Sequence, residues 1–275
     1  MPELPEVEIV VRRLGELIGG KTMVDARLYH EKLSPETTPR QFRALLRGAR
    51  VDEVARRGKH ILAHLTNGRT LIAHLRMTGR FLYVPQDAEN SKHTHAAFWF
   101  DDEMKLLFDD ARRFGWMMVA KTAELHQVKP LAKLAPEPFG PEFTPRYLHE
   151  TLLGTKQYIK FALLDQTRVA GLGNIYASEA LYRAGISPQL YSCNLSKDRA
   201  ARLHRAIVEV LGEAIANDRA FDVGSGDLDT SYGRYQAVAR VYEREGEPCL
   251  RCGALIRRIT QGQRSTYYCP RCQRR

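Results

Sequence analysis

The strongest constraint on this chain is a cysteine quartet near its C-terminus, Cys249-x-x-Cys252 and Cys269-x-x-Cys272. Sixteen residues separate the two pairs, the spacing of a zinc ribbon. Each Cys-x-x-Cys forms a tight knuckle whose two thiolates face one ion, and two knuckles on a hairpin complete a tetrahedron. Paired disulfides are the competing use of such cysteines, and they belong to oxidising compartments. The N-terminus, MPELPEVEIV, holds three Glu and no apolar core, so it does not read as a secretory signal. Reduced thiols holding one structural Zn2+ are therefore expected, with no open metal position for water. Cys193 stands alone and reads as a bystander thiol.

Charge narrows the partner. The chain of 275 residues has 42 Lys+Arg against 32 Asp+Glu, a net charge of +10. A chain this basic suits a polyanion: nucleic acid, an anionic membrane surface or a phosphorylated substrate. The excess is clustered. Residues 40–60 carry Arg40, Arg43, Arg47, Arg50, Arg56, Arg57 and Lys59 against Asp52 and Glu53. Residues 241–275 carry eight Arg against Glu243, Glu245 and Glu247. Two separated basic segments suit a clamp on a duplex better than one solvated face. No apolar run approaches the ~18 residues of a membrane span, so no membrane partner is expected.

Periodicity gives the organisation. Val7, Val10, Val11, Leu14, Leu17 and Ile18 recur at helical spacing, so 5–18 reads as an amphipathic helix with Pro5 in its first turn and Gly19-Gly20 at its stop. Short apolar runs then recur at 61–65, 71–75, 96–100, 105–108 and 116–120, the pattern of an antiparallel sandwich or barrel. Four prolines lie between Leu134 and Pro145, which marks 134–145 as a hinge. Beyond it Thr144 and Pro145 start a helix, 155–166 and 175–184 read as two more, and Ser196 caps a fourth that buries Ala200, Leu203, Ile207, Val210, Leu211 and Ala214. Residues 217–236 read as a long loop. The expected class is α+β, with an N-terminal domain at 1–133, a helical domain at 146–237 and a zinc ribbon at 238–275.

Chemistry concentrates at the N-terminus. Removal of Met1 would expose the secondary amine of Pro2. An α-amino group titrates near 7.7–8.0 against about 10.4 for Lys, so part of it is nucleophilic at neutral pH. Attack on a sugar C1′ would give an iminium, an electron sink for elimination. Glu3 and Glu6, at the same helix mouth, are candidates to move protons. These residues also suit an ordinary helix start, and alone they leave both readings open. Gly171-Leu172-Gly173-Asn174 precedes a helix, where backbone amides favour a phosphate. It is not a dinucleotide-binding fingerprint, because Tyr176 stands at the third glycine position.

Taken together, MPELPEVE, the terminal zinc ribbon, Arg56-Arg57-Gly58-Lys59, His74-Leu75-Arg76-Met77-Thr78-Gly79, Lys92-His93-Thr94-His95, Asp110-Ala111-Arg112-Arg113-Phe114-Gly115, Leu163-Leu164-Asp165-Gln166 and Gly171-Leu172-Gly173-Asn174-Ile175-Tyr176 resemble the formamidopyrimidine-DNA glycosylases, in order and spacing over essentially the whole chain. The resemblance implies an N-terminal β-sandwich, a helix–two-turn–helix domain and a zinc ribbon. It implies a bifunctional glycosylase and abasic-site lyase of base excision repair, acting on oxidised purines in double-stranded DNA. Pro2 would be the nucleophile, Glu3 the proton donor, Lys59 a second acid and phosphate contact, and Arg264 the ribbon's phosphate grip. Met77, Arg112 and Phe114 would fill the space left by an extruded base, as wedge, partner reader and stacking ring. Asn174, Lys156 and His93 would contact the DNA backbone, with Lys160 a further candidate. For Met77 and Phe114 the competing use is core packing; for Lys59, Lys156 and Arg264 it is a solvated charge.

Two segments depart from the family pattern. Residues 217–236 poorly match its base-capping loop, and Tyr242-Glu243-Arg244 replaces Tyr-Gly-Arg. An endonuclease-VIII-like enzyme for oxidised pyrimidines is the nearest alternative, but it begins PEGPE where Leu4 stands here. A non-catalytic zinc-ribbon DNA-binding protein is a third reading and would need no free Pro2 amine. The family resemblance also implies a monomer in a bacterial cytoplasm.

Overall fold

Apolar alternation between residues 23 and 121 resolves into two antiparallel sheets. The computed structural model describes residues 1–217, 227–228 and 239–274 and divides into two units. The first unit takes Met1–Pro2 and Glu6–Ala132. Its elements run α1 (Leu4–Ile18), β1 (Met23–Leu28), α2 (Pro39–Leu46), β2 (Val51–Arg57), β3 (His60–Leu65), β4 (Arg69–His74), β5 (Gly79–Pro85), β6 (Thr94–Phe100), β7 (Met104–Asp110), β8 (Trp116–Lys121) and the single turn α3 (Lys129–Ala132). One sheet has the order β2-β3-β4-β8; the other has β1-β6-β7-β5 and, at its edge, β9 (Asp227–Leu228).

The sheets share one core. Ile61, Ala63, Leu71, Ala73 and Met117 from the first sheet meet Ala26, Leu28, Phe81, Phe98 and Phe108 from the second. Helix α1 adds Val7, Val10, Val11, Leu14 and Ile18 on its apolar stripe, as its spacing predicts. Burial of side chains this size contributes about 1.5–3 kcal/mol each, so this stripe anchors the helix.

The five expected apolar runs are β3, β4, β6, β7 and β8. Strands β1, β2 and β5 escape the apolar-run criterion. In β2 the sequence VDEVARR buries only Val51 fully, and pairing with β3 supplies its order. Helix α2 also goes unread, because only Phe42 and Leu46 are buried. Its signal lay in chemistry: Thr38 and Gln41 form a capping box with Pro39 just inside.

The second unit takes Glu3–Pro5 and the described residues from Lys133 onward other than β9. Its elements are α4 (Pro145–Leu153), α5 (Ile159–Leu163), α6 (Asn174–Ala184), α7 (Lys197–Asn217) and the hairpin β10 (Arg257–Gln261)–β11 (Arg264–Tyr268). Leu148, Leu152, Leu163, Ile175, Leu181, Leu203, Ile207 and Leu211 form its core, together with Leu4. Thr144 caps α4 through the Tyr147 amide. In the Pro-rich segment 134–145, Ala135 and Phe143 are buried.

The helix expected over 155–166 shrinks to α5. Tyr158 is extended and bridges Tyr191, and the Ile159 amide donates to Leu190 O at 2.8 Å, so the first turn is spent on pairing. The expected loop 217–236 begins inside α7, since Asn217 ends that helix. It includes β9, whose Leu228 pairs with Phe81. The rest of that segment lies outside the described residues.

Candidate active site and nucleic-acid interface

Within the second unit the centre is Glu3. It is 3% exposed, and its carboxylate oxygens accept from the Ile175 amide at 3.0 Å and the Tyr176 amide at 3.3 Å. These are orphan donors of the first turn of α6, where the helix dipole favours an anion. The sequence reading placed a phosphate there; the structure places a carboxylate of the chain itself. The two glycines explain how. Gly171 has φ +78°, its carbonyl accepts the Leu4 amide at 3.0 Å, and a Cβ on it would stand 2.6 Å from Leu4 Cβ. A Cβ on Gly173 would stand 2.2 Å from Glu3 Cδ. The Gly-Leu-Gly turn is therefore a seat for Glu3 and Leu4.

Lys160 is the residue whose surroundings least match its sequence reading. It is 1% exposed, and Nζ donates to Ser265 O at 2.9 Å and to Thr266 Oγ1 at 2.7 Å. Burial pushes its pKa down to about 7; the Glu3 carboxylate opposes that shift and Arg264 reinforces it. Asn174 Nδ2 donates to the same Ser265 carbonyl at 3.1 Å. The hairpin strand is thus pinned from α5 and α6, one residue from the exposed Arg264. Gly262 and Gln263 turn the hairpin with φ 53° and 60°. A Cβ on Gly262 would lie 1.9 Å from Phe161 Cε2, so the turn sits directly on that ring. Lys156 is exposed.

The four cysteines bring their ligand atoms within 4.8 Å of one another. Cys249 and Cys272 sulfurs are 3.9 Å apart, and Cys252 and Cys269 sulfurs 3.5 Å. A tetrahedron with Zn–S near 2.3 Å has edges of about 3.8 Å, so the set fits one zinc. Tyr182 Oη lies 3.3 Å from Cys249 Sγ and supports that ligand from outside. Glu179, buried in α6, accepts the amides of Arg240, Val241 and Tyr242, each at 2.9 Å, and fixes the chain entering the ribbon.

In the first unit, Lys59 is buried in the β2–β3 turn, beside Gly58 with φ +58°. Arg56 clamps that turn, donating to Gly58 O at 3.1 Å while paired with Glu8 at 2.8 Å. Glu6 is half-buried in the first turn of α1. His60, His74 and Trp116 pack in a cluster. Burial, helped by the positive field of neighbours including Lys59, drives His74 down to about 2, so it stays neutral. Its Nδ1 accepts the Arg76 amide at 2.9 Å, which shapes the turn bearing Met77.

Met77 is 42% exposed and Phe114 51% exposed, so neither is a core residue. The Arg112 guanidinium stands 4.8 Å over the Phe114 ring. His93 is half-buried, and its carbonyl accepts the Asp110 amide. The sequence reading missed Asp110 and Glu179 as organisers. A lone acid beside an Arg or a Tyr carries no local mark of how many amides it will collect.

A glutamate at position 3 seated by two glycines at a helix mouth, in the unit that carries a four-thiolate hairpin, defines the helix–two-turn–helix, zinc-ribbon class of DNA glycosylases. Known proteins then give the family. Residues 1–117 match the formamidopyrimidine-DNA glycosylase N-terminal domain, 134–222 its H2TH domain, and 246–275 the zinc finger found in FPG and IleRS. A formamidopyrimidine-DNA glycosylase of Bacillus cereus is 40% identical over 280 residues, with all of both chains covered. A Lactococcus lactis Fpg solved with N7-benzyl-Fapy-dG DNA superposes with TM-score 0.90 at 34% identity, again over all of both chains. The same Lactococcus protein solved with DNA containing an oxidised pyrimidine gives the same values. The chain belongs to the formamidopyrimidine-DNA glycosylase family.

Proposed function

We propose that this chain is a bifunctional DNA glycosylase and abasic-site lyase of base excision repair that releases oxidised purines. The observation that carries the reading is the seating of Glu3. A buried carboxylate one residue from the Pro2 amine, ordered by two helix amides, is what proton transfer beside an N-terminal nucleophile requires. The Pro2 nitrogen attacks C1′ as the glycosidic bond breaks and the base departs with a proton. Glu3 protonates the ring oxygen as the sugar opens to the iminium. Loss of a C2′ proton then expels the 3′ phosphate, and a second elimination expels the 5′ phosphate. Lys59 holds a phosphate and supplies a proton as a second acid, Arg264 grips the phosphates at the lesion and aids the last elimination, and Glu6 adds a carboxylate at the same helix mouth. Asn174, Lys156 and His93 hold the DNA backbone. Zn2+, held by Cys249, Cys252, Cys269 and Cys272, cross-links the hairpin that carries Arg264.

Base extrusion costs a few kcal/mol, and Met77, Arg112 and Phe114 offset it by filling the vacated stack. Arg112 has planar donors that match cytosine acceptors, so the reading includes preference for lesions opposite cytosine. No helix among the described residues is long and apolar enough to cross a membrane. The bacterial cytoplasm is the compartment this reading implies, since it keeps four ribbon thiols reduced.

The test is borohydride trapping on duplex DNA carrying 8-oxoguanine, an oxidised pyrimidine or an abasic site. The expected adduct maps by mass spectrometry to Pro2, with faster release of the purine lesion. An adduct on Lys59 would overturn the nucleophile assignment, and faster pyrimidine release would favour the endonuclease-VIII-like specificity.

A further inference from the structure

Within the first unit, Asp110 gathers the two loops that carry Met77, Arg112 and Phe114. It is 1% exposed, the end residue of β7. Its Oδ1 accepts from Thr78 Oγ1 and from the Arg112 amide at 3.2 Å; its Oδ2 accepts from the Gly115 amide at 2.7 Å. Thr78 Oγ1 in turn accepts the Arg112 amide at 3.2 Å. The Asp110 carbonyl takes the Arg113 amide and lies 2.8 Å from His95 Nε2, and its own amide donates to His93 O.

The backbone around it is shaped for this closure. Arg76 and Arg113 sit at φ 54° and 57°, one in each loop. Phe108 packs against both: a Cβ on Gly79 would stand 2.8 Å from its Cζ, and one on Gly115 would stand 2.7 Å from the same atom. One buried carboxylate and one ring end therefore hold two separate surface tips in a single geometry. A satisfied buried carboxylate is a rigid anchor, because losing any one donor leaves charge uncompensated.

We propose that Asp110, acting with Thr78, is a positioning residue that locks the Met77 turn to the Arg112–Phe114 loop, so that the wedge and the reader of the opposite base enter the duplex as one preorganised unit. The proposal rests on the function proposed above and assigns Asp110 to base extrusion and partner reading, not to the chemistry at C1′. A preset insert loses less conformational freedom on binding than two independent loops.

Three substrates separate the steps: 8-oxoguanine opposite cytosine, 8-oxoguanine opposite adenine, and an abasic site in single-stranded DNA, where nothing needs to be extruded. Loss of a hydrogen bond to a charged group predicts that Thr78→Val and Asp110→Asn slow excision from the cytosine duplex about tenfold. Both variants should also lose at least half of the cytosine-over-adenine preference. Trapping on the single strand should stay within about twofold of wild type, since the chemical step is untouched. Thr78→Ser restores the hydroxyl and should recover duplex excision. An equal loss on duplex and single strand, or no loss on either, overturns the proposal. Should the wild type itself trap no abasic DNA, the proposed function fails. The lock is then judged without DNA: trypsin should cut after Arg76 and Arg113 faster in Thr78→Val than in wild type, and equal rates overturn it.

Discussion

At the scale of single residues, the site depends on atoms that are absent as much as on those present. Gly173 leaves room for the Glu3 carboxylate, and Gly173→Ala would put a methyl within 2.2 Å of Glu3 Cδ. The carboxylate must then leave the α6 amides. General acid catalysis is worth 10²–10⁴-fold, so base release in single-turnover assays is expected to fall at least about a hundredfold. DNA affinity should change much less, and unaltered release would remove Glu3 from the proton-transfer role. His74 makes a pH prediction. Its folded pKa is depressed to about 2 while the unfolded chain titrates at 6.5. As pH falls below 6.5 the unfolded state takes up the proton and the folded state does not, so stability is lost on acidification. Each pH unit below 6.5 removes up to about 1.4 kcal/mol. His74→Gln lacks that term, and its melting temperature should fall less than that of wild type between pH 6.5 and 5.

At the scale of elements, the zinc-ribbon hairpin shows how a short motif gains precision. Two strands alone are marginal in water. Here Lys160 and Asn174 hold the Ser265 carbonyl, and Phe161 holds the turn at Gly262. Gly262→Ala meets both a positive φ and the Phe161 ring, so the tip must lift and take Arg264 with it. Duplex affinity is expected to weaken, and Arg264→Gln should reduce the slope of log K against log salt by about one, the value for one phosphate contact. An unchanged slope would place Arg264 off the DNA. The helices show the same principle in reverse. Pattern alone predicts twelve residues for the segment that becomes α5, but Tyr158 and Ile159 are recruited to pair with the 190–191 strand-like stretch.

At the scale of the whole molecule, two cores of ordinary size are accompanied by a third that is not. Among the described residues the ribbon's apolar cluster has only Tyr182, Val241 and Ile256 fully buried beside its cysteines. Structural zinc contributes roughly 10–16 kcal/mol to small metal-folded modules, comparable with the whole stability of a domain. Chelation, or Cys269→Ser, is therefore expected to abolish DNA binding in a mobility-shift assay. The β-sheet signal of the first unit should persist in far-ultraviolet circular dichroism, because its core shares no residue with the ribbon. Metal-free protein that bound and cut lesion DNA at full rate would refute a structural role for zinc.

Local signals in the sequence determined much of this protein. Cysteine spacing specified a four-thiolate site, the 3.6-residue stripe specified α1, Thr144-Pro145 specified the start of α4, and five apolar runs specified five strands. Turn residues beside Met77 (Thr78-Gly79) and Phe114 (Gly115) suit exposed tips, and both side chains are exposed. Those features depend on residues close in the chain, so composition and spacing suffice. The tertiary structure alone decided the rest. Strands β1 and β5 are ordered by β6 and β7, distant in sequence, and the charged β2 is ordered by the buried β3 across a two-residue turn. That the α6 amides hold Glu3 rather than a phosphate, that Lys160 is buried against Ser265 and Thr266, and that Asp110 takes the Thr78 hydroxyl are all contacts across tens of residues or more. A carboxylate or an ammonium group looks the same in any sequence. Its role depends on which amides, carbonyls and rings the folded chain brings within about 3 Å of it.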